Sequence, residues 1–489
     1  MASSWLDRIV PHSGHKLDGM AAAQAGHATM PSTPTRTSGR AARSSATQPT
    51  GCLAWSPETF GVTLLPYQLA GLDYIHDTPA PQGLTGRRCI VADEMGLGKT
   101  VEALAAIHLE QAYPVLIVCP ASLKLNWERE VRRCLPGIRA SVDACGGQVV
   151  ITNYERLASL DYRPWRALIV DEAHYVKDRR TQRAGHILRL SRTPTLELVL
   201  LLTGTPIINR PLDLASLLEI VGTLHEYGGF WEYVKRFCDA YQGQWGWDLS
   251  GAANLPELNK RLRNTCYLRR LKADVLPQLP AKRRAVVTLP ISNAAAYREA
   301  ERAWYGAGGE LLKLGELRQV AAAGKVKGAV RWIENTLEQG EKLVVFTWHR
   351  ATAETIAGCF DAPCITGDAP LKERDRLVQR FQTDENTRLI VLTIATGGLG
   401  LTLTAASNVA FLELPWTLAA LEQAEDRLHR LGQDDAVTSW LLLSNTSIDE
   451  QMYALLDEKQ AVVKAGTDGV TDTSAMRIVA NAIRQSLAA

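Results

Sequence analysis

The chain has 489 residues, of which 46% are hydrophobic and 22% are charged, a composition typical of globular proteins with about three domains. Its 54 Lys and Arg residues against 52 Asp and Glu residues give a net charge of +2, so net charge alone excludes no class of partner. No apolar run approaches the roughly 20 residues that a membrane span needs. The 9 cysteines form no CxxC pair, so we expect a reducing compartment, a cytoplasmic location and no zinc site.

Residues 1–56 are rich in Ala, Ser, Thr, Gly and Pro and contain few acidic residues. A segment with so few large apolar side chains cannot bury enough surface to offset the entropy of ordering, so we predict a disordered tail. Its basic, acid-poor composition also resembles an organellar transit peptide, and a tail without a targeting role is the alternative.

A glycine-rich stretch follows a short apolar run at residues 89–91 and precedes a predicted helix at residues 101–110. A turn between a strand and a helix presents backbone N–H groups to phosphate, Lys99 would reach the β- and γ-phosphates, and the Thr100 hydroxyl would ligate Mg²⁺. The strict pattern has glycine where Asp93 stands, so an ordinary turn with a chance Lys-Thr is the alternative. The predicted ATP-binding loop is Asp93, Glu94, Met95, Gly96, Leu97, Gly98, Lys99 and Thr100.

Short apolar runs predict buried strands that alternate with helices in both halves of the chain, which indicates an α/β fold of two tandem, doubly wound parallel sheets. The first half carries such runs at residues 115–119, 149–153, 167–170 and 198–202, and the second half at residues 342–347, 364–366, 389–393 and 408–412. We predict a first lobe at 57–285 with a helical insertion at about 210–285, a second lobe at 286–465 and a C-terminal tail at 466–489.

Asp171 and Glu172 directly follow one of the predicted buried strands. Ligands bind beyond the carboxyl ends of such strands, so Asp171 could hold Mg²⁺ and Glu172 could orient or deprotonate the attacking water. A solvated turn or a helix cap is the alternative. We expect His174 to couple these carboxylates to residues 203–205.

Arg427 and Arg430 are three residues apart, so on a helix they would share a face and could reach the phosphates from the second lobe. Glu422, Glu425 and Asp426 stand close by in the sequence, and a surface helix with internal salt bridges is therefore the alternative.

Together these motifs resemble the two-lobed helicase superfamily two with its Asp-Glu-Ala-His box, and within it the Swi/Snf-type DNA-dependent ATPases. The likeness covers residues 64–465 and implies two RecA-like lobes, and Asp93 in place of glycine is the family's form of the loop. The motifs that carry the likeness are residues 65–68, 93–100, 171–174, 202–206 and 423–433.

The resemblance implies roles for individual residues, with ATP and Mg²⁺ as cofactors and Gln68 as the reader of adenine. The implied catalytic residues are Lys99, Asp171, Glu172, Arg427 and Arg430, with Thr100 and Asp171 as the Mg²⁺ ligands. The implied coupling residues are Thr203, Gly204, Thr205, Gly400 and Gln423. The implied DNA-facing residues are Ser122, Asn153, Thr347, Thr393 and Trp416, the last of which could instead be simple packing.

Finer features resemble the distant branch that contains fork-remodelling and strand-annealing translocases. Residues 246–251 and 268–276 carry this likeness, and Thr402 stands where most relatives have Asn. We expect a monomeric motor without reader modules, as in bacterial or phage members, associated with the nucleoid. The basic segment 260–284 either contacts DNA or forms a solvated helix face.

The resemblance therefore implies an ATP-dependent translocase that moves along or remodels double-stranded or forked DNA and promotes strand annealing. A strand-separating helicase on DNA or RNA is one alternative. A non-enzymatic DNA-binding scaffold and a switch-type signalling NTPase are the others; the intact Lys99, Glu172, Arg427 and Arg430 argue against the scaffold.

Overall fold

The computed structural model describes residues 59–144, 146–160, 163–207, 210–243, 246–306, 311–397, 400–445 and 447–468. The predicted disordered tail at 1–56 lies outside these ranges. The predicted C-terminal tail lies outside them from residue 469 onward, although the last helix already reaches Thr467, inside that tail. Within the described ranges no helix combines the length and apolarity needed to cross a membrane.

The first half of the chain alternates strands and helices. Its strands are β1 (Arg87–Val91), β2 (Val115–Cys119), β3 (Ala140–Val142), β4 (Val149–Asn153), β5 (Ala167–Asp171), β6 (Leu198–Leu202), β7 (Tyr241–Gly243), β8 (Gly246–Asp248) and β9 (Tyr267–Leu268). Its helices are α1 (Pro66–Asp77), α2 (Lys99–Glu110), α3 (Lys124–Cys134), α4 (Gln182–Ser191), α5 (Leu212–Val221), α6 (Gly229–Phe237), α7 (Leu255–Arg263) and α8 (Lys272–Val275).

Seven of these strands form one sheet in the order β3-β4-β2-β5-β6-β1-β9, and each described pair of neighbours is parallel. Strands β2, β4 and β6 are buried along their whole length, as expected for a sheet covered on both faces. Helices α1 to α3 pack on one face and α4 to α7 on the other. The first predicted lobe is thus a doubly wound parallel sheet.

The stretch at about 210–285 is helical only in part. Between α6 and α7 it contains the antiparallel hairpin of β7 and β8, and after α7 it returns to the first sheet as the edge strand β9. Because β9 is two residues long, it carries no alternation from which a strand could have been predicted.

The second half repeats the alternation. Its strands are β10 (Lys282–Thr288), β11 (Leu343–Thr347), β12 (Cys364–Ile365), β13 (Leu389–Thr393), β14 (Asn408–Phe411) and β15 (Val437–Leu443). Its helices are α9 (Ala294–Gly306), α10 (Leu311–Glu338), α11 (Arg350–Phe360), α12 (Leu371–Thr383), α13 (Ile394–Gly397), α14 (Leu418–Glu425) and α15 (Ile448–Thr467).

The six strands of the second half form a second parallel sheet in the order β10-β15-β14-β11-β13-β12. Strand β10 spans the predicted border between the lobes at residue 285 and pairs along its whole length with β15. Helix α11 packs on one face, α9, α12, α14 and α15 pack on the other, and α10 contributes to both. The predicted fold class, two tandem RecA-like lobes, is confirmed.

Within the ranges that the structure describes, the chain crosses between the sheets twice. The first crossing runs from β9 through α8 to β10. The second is made by α15, which follows the second sheet and ends against the first lobe, where Asn259 Nδ2 donates to the carbonyl oxygen of Thr467 at 2.6 Å. Asp468, one residue further on, pairs with Arg269 at 2.9 Å.

Candidate active site at the lobe interface

The predicted phosphate loop forms a turn between β1 and α2. Gly96 and Gly98 have φ values of 84° and 79°, a left-handed conformation that glycine adopts without steric cost. Helix α2 begins at Lys99, two residues before its predicted start, so Lys99 and Thr100 lie in its first turn. The backbone therefore has the geometry in which such loops bind phosphate.

Lys99 is folded over its own loop. Its Nζ donates to the carbonyl oxygens of Asp93 at 2.7 Å and of Glu94 at 3.2 Å. Burial lowers the pKa of this ammonium, while the carboxylates of Asp93 and Glu172 oppose that shift. Phosphate oxygens would give the buried cation the charged partners that two neutral carbonyls do not provide.

Asp93 occupies the position where the strict loop pattern requires glycine, and the structure shows what its side chain does. The carboxylate is completely buried and accepts hydrogen bonds from the backbone N of Arg270 at 2.9 Å and from its Nε at 2.9 Å. Arg270 Nη2 also lies 2.6 Å from the buried Glu102 Oε2 on α2. A buried carboxylate is stable here because arginine pairs it, so the departure from the pattern is structural.

Asp171 ends β5 with both carboxylate oxygens hydrogen-bonded. Trp127 Nε1 donates to Oδ2 at 2.7 Å, and the backbone N of Glu172 donates to Oδ1 at 2.9 Å. Burial and the neighbouring Glu172 carboxylate raise the pKa of Asp171 to about 6. Glu172 itself has a φ of 50°, a left-handed conformation that costs a residue with a side chain about 1–2 kcal/mol.

The Glu172 carboxylate receives contacts from both lobes. Gln423 Nε2, on α14 of the second lobe, donates to Oε1 at 3.1 Å. His174 Nδ1 lies 3.2 Å from Oε2, but within the described residues Oε2 is buried and accepts no hydrogen bond of good geometry. Burial raises the pKa of Glu172. His174, Lys99 and Arg427 lower it by more than burial raises it, so the pKa lies below its usual value. An ionised, under-coordinated carboxylate oxygen fits a role in holding a water molecule.

The expected coupling role of His174 is not visible as a direct bond. In the described part of the chain His174 contacts Glu172 and the ring of Tyr175, at a centroid distance of 5.0 Å, and makes no hydrogen bond to residues 203–205. Two of those residues contact the phosphate loop and the strand before it instead. A Cβ on Gly204 would lie 2.4 Å from Met95 Cγ of the loop, and the backbone N of Thr203 donates to the carbonyl oxygen of Val91, the last residue of β1, at 3.1 Å.

The prediction that Arg427 and Arg430 lie on a helix is wrong. Helix α14 ends at Glu425, and residues 426–430, called here the arginine segment, continue as a turn. At this end of the helix, Glu425 and Asp426 form buried ion pairs with Lys282 of β10 at 3.2 and 3.0 Å. The alternative of a solvated surface helix is excluded as well.

Both arginines nevertheless lie at the lobe interface. Burial and the neighbouring Arg430 lower the pKa of Arg427 to about 10, against the attraction of Glu172. A Cβ on Gly96 of the phosphate loop would lie 3.2 Å from Arg430 Cβ, and Arg430 Nη1 donates to Thr402 Oγ1 at 3.0 Å. Arg430 thus approaches the phosphate loop through its Cβ while its guanidinium binds Thr402 of its own lobe, and Arg427 lies close enough to Glu172 to be attracted by its carboxylate.

Gln68 lies against the phosphate loop on α1. Its Nε2 donates to the carbonyl oxygen of Leu97 at 3.4 Å, and a Cβ on Gly98 would lie 2.6 Å from the same nitrogen. Its Oε1 accepts from the backbone N of Leu65 at 2.9 Å. The position beside the loop is the one an adenine reader needs, and reading of adenine stays a prediction.

Two of the five residues expected to face DNA, Ser122 and Trp416, are partly exposed. Trp416 lies under the guanidinium of Arg318, which is 4.1 Å from its ring centroid, so packing and exposure coexist there. The side chains of the other three are buried: Asn153 binds Lys124 at 3.1 Å, Thr347 Oγ1 donates to the carbonyl oxygen of His349 at 3.1 Å, and Thr393 bonds to Thr396.

At its centre, the basic segment 260–284 neither forms a solvated helix face nor leaves its arginines free for DNA, the two interpretations that its sequence allowed. Arg269 is buried, and its Nη1 donates to the carbonyl oxygens of Ala92 at 2.8 Å and Gly204 at 3.1 Å. With Arg270 on Asp93, this segment supports the phosphate loop from behind. Composition predicted the cluster of charge, but the partners lie 65 to 177 residues away in the sequence and leave no local pattern.

The fold and this site together define a class of protein, one with two RecA-like lobes and a phosphate loop at their interface. The family profile described as SNF2-related domain matches residues 67–327, and the helicase conserved C-terminal domain matches residues 325–432. The chain belongs to the SNF2-related family, as the sequence motifs predicted.

Similar proteins include the DNA annealing helicase and endonuclease ZRANB3 of Mus musculus, which is 32% identical over an alignment 463 residues long that covers 85% of this chain and 42% of the relative. The SWI/SNF-related matrix-associated actin-dependent regulator of chromatin subfamily A-like protein 1 of Xenopus tropicalis is 32% identical over 85% of this chain and 46% of its own length. The Caenorhabditis elegans homolog of that protein is 32% identical over 82% of this chain and 61% of its own length.

The predicted likeness to the fork-remodelling branch is thus confirmed, whereas the expectation of a bacterial or phage source gains no support from these animal relatives. The chain spans only about half the length of the relatives it matches. Among solved structures, the Sulfolobus solfataricus SWI2/SNF2 ATPase core in complex with dsDNA matches 87% of this chain and 98% of its own at 23% identity, with a TM-score of 0.40.

Proposed function

We propose that this chain is a DNA-dependent ATPase that uses ATP and Mg²⁺ to move along or remodel double-stranded DNA. The observation that carries the proposal is the contact of Gln423 in the second lobe with Glu172 in the first, at 3.1 Å. It joins the residue expected to act on water to the lobe that supplies the arginines. In this proposal, closure of the lobes brings together the groups that hydrolysis needs.

In the proposed site each group has one task. The loop N–H groups and Lys99 bind the β- and γ-phosphates, and Thr100 and Asp171 would hold Mg²⁺, which neutralises phosphate charge when bound. Glu172 orients the attacking water and takes its proton. Arg427 and Arg430 place positive charge where it develops on the phosphoryl oxygens.

DNA as the partner is proposed from the relatives, one of which is named a DNA annealing helicase. A duplex lying across both lobes would be held chiefly through its phosphates and without sequence reading. Ser122 and Trp416, the more exposed of the expected DNA-facing residues, are the proposed first contacts. Preference for forks and strand annealing, and a monomeric state, belong to the same proposal.

The proposal is tested by measuring ATP hydrolysis by the purified chain without nucleic acid and with single-stranded, duplex and forked DNA and with RNA. Salt is kept low because phosphate-driven binding weakens steeply with it. We expect duplex or forked DNA to stimulate ATP hydrolysis by the unaltered chain. Lys99→Ala should hydrolyse no ATP under any of these conditions. Stimulation by RNA alone would favour a helicase, and no hydrolysis under any condition would favour the scaffold.

Movement is tested separately by displacement of a triplex-forming strand from a duplex. A translocase displaces the third strand in an ATP-dependent manner without separating the duplex. Separation of a tailed duplex in the same buffer would instead identify a strand-separating helicase.

A further inference from the structure

Lys272 is buried between the two lobes and contacts both. Its side chain, which is 4% exposed, places Nζ 2.9 Å from Asp426 Oδ1 and donates to the carbonyl oxygen of His429 at 2.7 Å. Asp426 and His429 lie on either side of Arg427 in the arginine segment. The ammonium therefore holds that segment at two points.

The same residue is fixed to the phosphate loop. Its backbone N donates to Glu94 Oε2 at 2.7 Å. A Cβ on Gly96 would lie 3.3 Å from Lys272 Cε and 3.5 Å from Nζ. One side chain thus spans the distance between the loop that would bind phosphate and the segment that carries the arginines.

Asp426 does not depend on Lys272 for its charge balance. Lys282, on β10 of the second lobe itself, lies 3.0 Å from the same Oδ1 atom. Without Lys272 the buried carboxylate would keep a cationic partner, so the second lobe would lose no essential ion pair. What Lys272 adds is the bond from that carboxylate to the first lobe.

We propose that Lys272 is a positioning residue that fixes Arg427 and Arg430 against the phosphate loop, so that the arginines are in register with the bound phosphates when the lobes close. The inference rests on the proposed ATPase function. Lys272 acts through the arginine segment, and the contacts expected to bind ATP, from Lys99 and Thr100, do not involve its ammonium.

The first test compares Lys272→Met with Lys282→Met. Each change removes one ammonium from Asp426, but only the first breaks the bond between the lobes. Lys282→Met also removes the ammonium 3.2 Å from Glu425, which keeps Arg284 as its partner at 2.7 Å. With duplex DNA at saturation, we expect kcat to fall by about 10–100-fold in Lys272→Met, since misplacement of a catalytic group by about 1 Å has such an effect. KM for MgATP and the Kd of a fluorescent ATP analogue with Mg²⁺ should stay within about threefold. Lys282→Met should keep kcat within about threefold.

The second test does not need turnover. Hydrogen–deuterium exchange of the amides of residues 426–433, measured on the full chain without nucleotide, should be several-fold faster in Lys272→Met than in Lys282→Met. Thermal unfolding identifies a variant that fails to fold, and Lys272→Gln then replaces Lys272→Met.

The outcomes separate this inference from the proposed function. If the unaltered chain hydrolyses no ATP, the proposed function fails and the exchange comparison still tests the contact. If Lys272→Met and Lys282→Met have equal kcat and equal exchange, Lys272 has no positioning role. A large rise in KM or Kd with unchanged kcat would likewise overturn the inference, because it would assign Lys272 to ATP binding.

Discussion

Glu172 is positioned by the end of β5 in the first lobe and is contacted by the second lobe. Its left-handed backbone, with a φ of 50°, turns the side chain out of the direction of β5, and Gln423 meets it from the second lobe. Within the described residues Oε1 accepts from Gln423 and the buried Oε2 accepts no hydrogen bond, so Oε2 has acceptor capacity left for the attacking water of the proposed reaction.

Replacing Glu172 with Gln keeps an oxygen for Gln423 but removes the ability to take a proton. We expect ATP turnover to fall by about 10²–10⁴-fold while ATP binding is retained. Phosphate release measured beside binding of a fluorescent ATP analogue checks this. Glu299→Gln, at an exposed position on α9, is the control. Normal turnover in Glu172→Gln would show that the base lies elsewhere.

The pKa of Asp171 predicts how activity depends on pH. Burial and Glu172 raise this pKa to about 6, and only the ionised carboxylate can ligate Mg²⁺. We expect kcat/KM for MgATP to be constant above that pH and to fall about tenfold per pH unit below it. Protons and Mg²⁺ compete for the same group, so more Mg²⁺ should move the fall to lower pH. A fall that does not move would contradict the assignment.

At the scale of elements, the edge strand β9 and the residues after it determine how the phosphate loop is supported. Arg269 donates to carbonyl oxygens of residues that follow β1 and β6. Arg270 binds the carboxylates of Asp93 and Glu102. A strand of only two residues thus places two arginines beneath the loop.

Arg270→Met would leave the carboxylates of Asp93 and Glu102 buried without a cation. We expect the free energy of unfolding at pH 8 to fall by about 3–5 kcal/mol, measured by urea denaturation. Burial raises the pKa of Glu102, and loss of Arg270 raises it further. The folded variant therefore takes up protons as pH falls, and its deficit should be smaller at pH 6 than at pH 8.

The control for Arg270→Met is Arg283→Met, because Arg283 belongs to the same basic segment and is exposed. It should change the free energy of unfolding by no more than about 0.5 kcal/mol. Equal losses in the two variants would mean that the buried ion pairs contribute nothing specific.

The elements that could be predicted are those with buried apolar runs, such as β2, β6, β11 and β13. Strand β10 escaped prediction because it begins Lys-Arg-Arg, and its cations are neutralised by the distant acids of α14. Strand β15 was missed although Leu441–Leu443 offered an apolar signal. Ion pairs between residues far apart in sequence leave no periodic pattern, so no count of apolar positions reveals them.

The site divides in the same way. Glycine and lysine spacing predicted the loop, and its dihedral angles agree with that prediction. Local pattern alone gave Arg427 and Arg430 a helix that the structure does not have. The contact of Gln423 with Glu172 joins residues 251 positions apart, and only the resemblance to a family pointed to it.

At the scale of the whole molecule, Gly400 lies where the second lobe touches the first. Its φ is 72°, and a Cβ there would lie 2.7 Å from Leu123 Cδ2 in the turn that carries Ser122. Glycine at this position lets the two lobes approach beside the proposed DNA path.

Gly400→Ala adds both backbone strain and a clash between the lobes, and Gly340→Ala adds strain alone, since φ is 87° there and no atom lies within 4 Å of its Cβ. We expect both variants to lose about 1–2 kcal/mol of stability. Only Gly400→Ala should reduce DNA-stimulated turnover, by roughly tenfold for about 1.4 kcal/mol of added cost in the closed state. Steady-state ATPase assays with and without duplex check this, and equal turnover in the two variants would exclude a closing role for Gly400.

The two crossings between the sheets have a mechanical consequence. The first runs from β9 to β10, and the second brings α15 back to Asn259 of the first lobe. Attachment at two separate places restricts the relative motion of two bodies more than a single linker does. Rotation of the lobes about the line that joins these two places is the motion that the crossings oppose least.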